Sequence, residues 1–228
     1  MFYWDSTYIL VVFAFMLSAF ASLGVKSTFA KYQSVRNHRG LTGRDAARQI
    51  LDRNGLYQVR IEHVAGNLTD HYDPRDNVIR LSDATYSSDS VAAVGVAAHE
   101  AGHAVQHAVG YRPIQVRNSI IPVVNIGSSL SMPLFFLGII LGYVDLAYVG
   151  IALFSLVLLF QLVTLPVEFN ASGRALATLD STGMLSQEET KQAKKVLSAA
   201  AMTYVAAVAS TALQLLRLVL IANSRRRD

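Results

Sequence analysis

Residues 99 to 107 read H-E-A-G-H-A-V-Q-H, three histidines spaced four apart with a glutamate directly after the first. On an α-helix, positions i and i+4 differ by about 40° in azimuth and about 6 Å in height, so His99 and His103 point the same way from adjacent turns. Two imidazoles so placed can share one tetrahedral zinc. Glu100 is displaced by about 100° from His99 and about 60° from His103. It can reach a metal-activated water without being a ligand, which is the position of a general base. His107 continues the series, but its Cα lies about 12 Å from that of His99 if the helix is unbroken. With Zn–N bonds of about 2.0–2.1 Å, a single ion bridging that span is strained. Metzincins solve this with a glycine ahead of the third histidine, whereas Gln106 holds that place here and position 109 is a valine. The third ligand is therefore expected from elsewhere in the chain.

The donors elsewhere are few. They are His38, His63 and His71, and, beyond the third apolar block, Glu168, Asp180, Glu188 and Glu189. Glu188 and Glu189 fall in the acidic first turn of a helix that later carries Lys191, Lys194 and Lys195, a pattern of dipole and surface electrostatics. Glu168 stands apart because it follows an apolar run and sits between Val167 and Phe169, where a lone carboxylate is expensive. Its bland alternative is an interfacial carboxylate paired with Arg174 or Lys26. The histidine motif itself lies in a Val/Ala/Gly-rich helix with little other polarity, so burying its three polar side chains without a partner would be costly.

The elements that must hold these residues can be read in order. Ser87-Ser88-Asp89-Ser90 offers N-caps for a helix from Val91 to about Val109, ended by Gly110. Ala92, Gly95, Val96, His99, His103 and Gln106 share one face of it, and Gly102 suits close packing. Upstream, residues 41 to 51 form a short amphipathic helix stopped at Asn54-Gly55. Residues 59 to 64, 67 to 72 and 77 to 81 read as strands, with turn chemistry at Asp73-Pro74-Arg75-Asp76. The expectation is a small antiparallel sheet beside the motif helix.

Composition places this unit on a membrane. The 228 residues are 52% hydrophobic and 16% charged, and the apolar residues gather in four blocks: Tyr8 to Val25, Ile120 to Tyr143, Ala147 to Val167 and Ala199 to Ile221. Each approaches the roughly 20 residues a helix needs to cross a bilayer. The first block reads as a span rather than a signal peptide: Ala19-Phe20-Ala21 resembles a cleavage site, but Met1 to Thr7 carries Asp5 and no Lys or Arg. Residues 26–118 hold twelve Lys/Arg, residues 168–198 hold four, and the link Val144 to Leu146 holds none, so both polar segments are expected to face the cytoplasm. The fourth block contains Gln214 and Arg217 and precedes Arg225-Arg226-Arg227, so it is either a fourth span or an interfacial helix. Cysteine is absent, which excludes disulfides and thiolate metal sites. The pI of about 9.4 reflects basic membrane flanks and needs no nucleic acid. The expected architecture is an α-helical multi-pass membrane protein with three to four transmembrane helices and a cytoplasmic α+β zincin-like domain containing the sheet and the HExxH helix. In order it comprises a helix at 1–25, the catalytic domain at 26–118, a transmembrane hairpin at 119–167, a cytoplasmic helical segment at 168–198, and a helix with a basic tail at 199–228.

With H-E-A-G-H at 99 to 103, two apolar spans and then Val167-Glu168-Phe169-Asn170-Ala171-Ser172, the chain resembles membrane gluzincins of the HtpX and CAAX-protease type. It is more closely similar to the neutral zinc metallopeptidase family of bacterial membrane proteins, the YugP type. Further runs carry the likeness: Phe2-Tyr3-Trp4-Asp5, Leu68-Thr69-Asp70-His71-Tyr72-Asp73-Pro74, Ala97-Ala98-His99-Glu100 and Asn125-Ile126-Gly127-Ser128-Ser129. The resemblance implies a zinc endopeptidase of the bacterial cytoplasmic membrane that holds one Zn2+ on His99, His103 and Glu168, with Glu100 as base. One departure matters. The HtpX-type pattern E-F-x-A-D has an aspartate, expected to orient a ligand imidazole, where this chain has Ser172. A hydroxyl brings no charge, so that support is weaker here or falls to Asn170 or Asp70.

The expected reaction is peptide hydrolysis by a zinc-activated water, with Glu100 accepting its proton and returning it to the leaving amine. The sheet edge within Asn67 to Tyr72 offers strand addition to an extended substrate, and His71 or Tyr72 a hydrogen bond to the reacting carbonyl. Arg174 is a further candidate for support near Glu168. Partners are then a peptide or protein substrate and the lipid bilayer, with oligomerisation or a regulatory membrane partner left open. Two rivals remain: a zinc-stabilised membrane scaffold, which needs no Glu100, and an enzyme acting on lipidated substrates in a cavity lined by Asn125, Ser128, Ser129 and Ser131. For the last group, helix packing by small residues is the commoner explanation.

Overall fold

The computed structural model describes residues 6–226. The opening run Phe2-Tyr3-Trp4-Asp5 and Arg227 of the tail lie outside the described residues. The chain is mostly helical, with one three-stranded sheet: α1 (Tyr8–Gln33), α2 (Gly43–Arg53), β1 (Arg60–Val64), β2 (His71–Asp73), β3 (Val78–Ser82), α3 (Val91–Ala108), α4 (Arg112–Leu141), α5 (Val144–Ser181) and α6 (Gln187–Arg225). Helices α1, α4, α5 and α6 are long and apolar enough to cross a membrane. The chain divides into two compact units, one of Met1–Ser22, Val116–Leu165 and Met202–Asp228, the other of Leu23–Gln115 and Pro166–Ala201.

In the first unit the α4–α5 hairpin turns at Gly142, whose φ of +76° suits glycine. The expected link Val144 to Leu146 is instead the first turn of α5, because Asp145 complements the positive end of that helix. A Cβ at Gly150 would lie 2.6 Å from the carbonyl oxygen of Ser131, so these helices meet backbone to backbone. The hydroxyls of Ser128, Ser129 and Ser131 are bonded to carbonyls of their own helix three residues back. They serve the helix, as small polar residues in spans commonly do. Between α1 and α6, Ser18 and Ser210 share a hydrogen bond of 2.9 Å and the Arg217 guanidinium lies 4.6 Å from the Tyr8 ring centroid. The 210–217 stretch of α6 therefore runs antiparallel to the first turns of α1.

The second unit holds the sheet and α3. Helix α2 starts on a capping box in which the Thr42 hydroxyl accepts from the Asp45 N–H and Asp45 returns the bond to the Thr42 N–H. Ser90 caps α3 by accepting from the Ala93 N–H at 3.1 Å. Gly110, at φ +63°, turns the chain away at its end. One core joins Ile50 and Leu51 of α2, Ile79 and Leu81 of β3, Val94, Ala97, Ala98 and Ala101 of α3, Leu179 of α5 and Leu197 of α6.

The sheet corrects the all-antiparallel expectation. Its order is β1-β3-β2, with β2 antiparallel and β1 parallel to β3 in the register Ile61↔Ile79. A parallel pair needs a crossover of about a dozen residues, and residues 65–77, which include β2 itself, supply it. Alternation in sequence is the same for both directions, so strand order was invisible to it. Residues 168–198, expected as a segment distinct from the preceding span, fall in the second unit, within Pro166–Ala201, although no break in the helix marks the change. Helix α5 passes through Pro166 without a break and ends only at Ser181. Glu168 is thus a mid-helix residue.

Candidate metal centre

The site is built where α3 meets α5. A Cβ at Gly102 would stand 2.7 Å from the carbonyl oxygen of Ala171, so only glycine lets the α5 backbone come this close. Glu168, Ala171, Ser172 and Ala175 follow the spacing of one helix face, and Ala171 and Ala175 are buried in the contact. That face brings Glu168 and Ser172 against the histidines. Glu168 is only 3% exposed.

Three donor atoms converge. His99 Nε2 and His103 Nε2 are 3.1 Å apart, and Glu168 Oε2 lies 3.3 Å from the first and 3.5 Å from the second. A tetrahedral ion with bonds of about 2.0–2.1 Å holds its ligand atoms about 3.3–3.4 Å apart, so the triangle has the dimensions of one zinc site face. Among the described residues His99, His103 and Glu168 form the group positioned to bind one metal ion. Two nitrogens and a carboxylate oxygen with no sulfur suit zinc.

Each imidazole is steadied from behind. His99 Nδ1 is 3.0 Å from Ser172 Oγ, so the serine itself occupies the orienting position. His103 Nδ1 is 3.0 Å from Gln106 Oε1. The Gln106 amide is itself fixed, because its Nε2 donates to the Val167 carbonyl at 2.8 Å and to Asn170 Oδ1 at 2.9 Å. An amide oxygen only accepts, so His103 Nδ1 carries the hydrogen and Nε2 presents its lone pair to the metal position. Arg174 Nε donates to the same Asn170 oxygen at 2.8 Å and extends the chain by one link. Asn170 and Arg174 are thus linked to His103 by hydrogen bonds through Gln106, and Asp70 lies elsewhere, bonded to Ser82 N and Oγ at 2.8 and 2.9 Å.

Gln106→Leu, which keeps the volume but removes the acceptor, is expected to lower zinc affinity by about 10–100-fold. Competition with a chelator of known affinity measures it, and wild-type affinity in this variant would remove Gln106 from the orienting role.

Glu100 is 8% exposed and lies outside the donor triangle. Its Oε2 accepts the backbone N–H of Tyr72 at 2.9 Å. Since β2 pairs with β3 on its other side, this N–H belongs to the free edge of the sheet, and the edge strand therefore runs beside Glu100. Burial opposes a charged His103, but the Glu168 carboxylate at its ring, the Glu100 charge and the Gln106 bond outweigh it and raise its pKa above the ordinary imidazole value. A metal must displace that proton, so metal uptake is favoured as pH rises.

The other histidines are engaged away from the triangle. His38 bonds Glu189, His63 bonds Asp83 at 2.6 Å, and His71, exposed at the start of β2, has Nδ1 2.8 Å from the Thr69 carbonyl. The His107 ring sits edge-on to Tyr72 with centroids 6.1 Å apart. Sequence reasoning missed two participants. Gln106 had a signal, an amide three residues after His103 on the metal-facing side, whereas the Tyr72 N–H, a backbone donor, leaves none.

The family described as "Putative neutral zinc metallopeptidase" matches residues 7–223. The chain is 49% identical over 212 residues to the "Putative membrane protease YugP" of Bacillus subtilis (strain 168), covering 93% of this chain and 94% of that protein. No solved structure matches it. A largely buried two-histidine, one-carboxylate triangle of zinc dimensions, joined to these matches along nearly the whole chain, means that the protein belongs to the neutral zinc metallopeptidase family.

Proposed function

We propose that the chain is a membrane-embedded zinc endopeptidase of the gluzincin type, hydrolysing peptide bonds of membrane or unfolded proteins at the cytoplasmic face of the bacterial cell membrane. The observation that carries this reading is the convergence of His99, His103 and Glu168 beside a carboxylate pinned to the free edge of a sheet. When bound, zinc supplies Lewis acidity that acidifies water and polarises a carbonyl. His99, His103 and Glu168 hold it, Ser172 and Gln106 keep the two imidazoles aimed, and Glu100 takes up a proton and delivers it to the leaving amine. The Tyr72 N–H holds one oxygen of Glu100 and leaves the other for that transfer.

The edge running from Asn67 into β2 is the place for an extended substrate, whose backbone would add as a further strand on positions other than the Tyr72 N–H, which holds Glu100. That mode requires a locally unfolded segment, which favours unstructured or membrane-flanking stretches as targets. The domain at 26–118 and the stretch at 168–198 form the cytoplasmic catalytic part in this reading. The Lys/Arg excess in both supports that orientation. The antiparallel run of α6 along α1 supports a fourth span, with the basic tail on the side of the N-terminus.

The test is hydrolysis by the purified, reconstituted full-length chain. An unfolded protein such as reduced casein is expected to be cut, cutting to stop after dialysis against a zinc chelator, and activity to return with one equivalent of Zn2+. Cleavage that persists without metal would reject the proposal, and a zinc-loaded protein that cuts no unfolded or membrane protein would favour the scaffold.

A further inference from the structure

Away from the metal centre, the second unit carries a basic cavity with no part in the chemistry above. It has a volume of about 640 Å³ and is lined by Lys31 and Thr28 of α1 and by Lys191, Lys194, Lys195 and Ser198 of α6, with Tyr32 and Glu188 at its margin. That volume falls within the roughly 300–1,000 Å³ of small-molecule sites. Four ammonium groups face one carboxylate, and Glu188 reaches only Lys191, at 3.7 Å with both side chains largely exposed. Neither Lys194 nor Lys195 has an ion-pair partner among the described residues. Such a gathering of exposed like charge raises a local positive potential that draws an anion.

The wall of the cavity is a packed structure. Phe29 and Tyr32 of α1 are buried with Val196 of α6, Ala84 and Ala92 in one apolar cluster. Lys191, Lys194, Lys195 and Ser198 fall at i, i+3, i+4 and i+7, a single helical face, and Thr28 and Lys31 at i and i+3 on α1. The arrangement also has a level. Lys31 follows the end of the first apolar run, Val25, by about 9 Å of helix, and Lys194 and Lys195 precede the start of the fourth, Ala199, by about 6–8 Å. The polar layer on each side of a bilayer is about 5–8 Å deep, so Lys194 and Lys195 fall at phosphate height, Lys31 at its outer limit and Lys191, about 12 Å from Ala199, beyond it, while Thr28 and Ser198 lie nearer the hydrocarbon.

We propose that this cavity binds the phosphate of an anionic phospholipid headgroup, with Lys31, Lys194 and Lys195 around the phosphate, Lys191 adding its charge at the outer rim, and Thr28 and Ser198 bonding the oxygens toward the glycerol. Scattered basic residues at a membrane flank attract anionic lipid without choosing a molecule, whereas an open groove between two packed helices, with its lysines gathered along it, offers one headgroup several contacts at once. The chemistry shared with a free phosphate ion is the tetrahedral oxyanion, and the glycerol and acyl chains separate the two sources.

The test uses the full-length protein in a neutral detergent, stripped of native lipid and titrated with phosphatidylglycerol or phosphatidylcholine, with retained lipid read by native mass spectrometry. Wild type is expected to retain phosphatidylglycerol about tenfold or more over phosphatidylcholine, at about fivefold per lysine engaged. The K31Q/K191Q/K194Q/K195Q variant is expected to lose that preference, and R225Q/R226Q, which removes equally basic residues outside the cavity, to keep it. Zinc content and thermal unfolding report folding, and K194Q and K195Q singly, each expected to lose about fivefold, carry the test if the fourfold variant does not fold. Equal retention of the two lipids by wild type, undiminished preference in the lysine variants, or complete displacement of the lipid by equimolar inorganic phosphate overturns the proposal.

Discussion

Glu100→Gln is expected to lower the rate of peptide hydrolysis by about 10²–10⁴-fold, the usual contribution of a positioned general acid–base, while bound zinc stays at the wild-type level. The substitution is nearly isosteric. A glutamine oxygen can still accept the Tyr72 N–H that now reaches Glu100 Oε2 at 2.9 Å, so the contact between α3 and the edge of β2 survives. What is lost is the capacity to take up and release a proton, since an amide does neither near neutral pH. The metal should not notice, because the donor triangle consists of His99, His103 and Glu168 and does not include residue 100. Initial rates on an unfolded substrate, measured beside zinc stoichiometry by mass spectrometry, separate the two effects. Undiminished hydrolysis would sink the role given to Glu100. Lost zinc would mean that the carboxylate is itself part of the metal site.

What the sequence revealed here divides along a physical line between local and long-range order. His99, Glu100 and His103 were legible because helical periodicity alone fixes their relative directions. Gly102 was legible for a related reason, since an absent side chain on the metal-facing helix announces a close neighbour, now seen as the Ala171 carbonyl. Glu168 could be singled out as an expensive carboxylate, but its meeting with the histidines depends on how α5 packs on α3, which no local pattern encodes. Its place in the middle of α5 was not legible, because the apolar block ends at Val167 while the helix runs on to Ser181. The sheet illustrates the same limit. Three strands could be counted, yet the parallel placing of β1 and the free edge of β2 depend on the crossover through residues 65–77. That edge decides which backbone N–H faces Glu100. The orienting partners divide likewise: Ser172 stood at a position the family pattern marks, whereas Gln106 acts on His103 through an amide whose direction is set by the Val167 carbonyl across the helix contact.

Glu168→Ala is expected to abolish zinc retention through purification, with His107→Ala leaving zinc content near wild type. Removing Glu168 takes one of three donors, and the carboxylate that sits 3.3 and 3.5 Å from the two imidazole nitrogens. Two neutral imidazoles would then face a divalent ion with no anionic ligand, in a pocket where the Glu168 side chain is 4% exposed and its charge is scarcely screened by water. Losing a ligand should exceed the about 10–100-fold that loss of an orienting partner gives, so its effect should exceed that of Gln106→Leu. Glu168→Gln sharpens the result, because it keeps a carbonyl oxygen in place while removing the charge. An intermediate affinity there would apportion the loss between geometry and charge. His107 is the control, since it shares the motif helix and nearly the same face, yet its ring packs edge-on to Tyr72. Zinc lost from His107→Ala and kept by Glu168→Ala would move the third ligand back onto α3. That outcome would require the last turn of α3 to unwind, because an unbroken helix carries residue 107 past an ion held by His99 and His103.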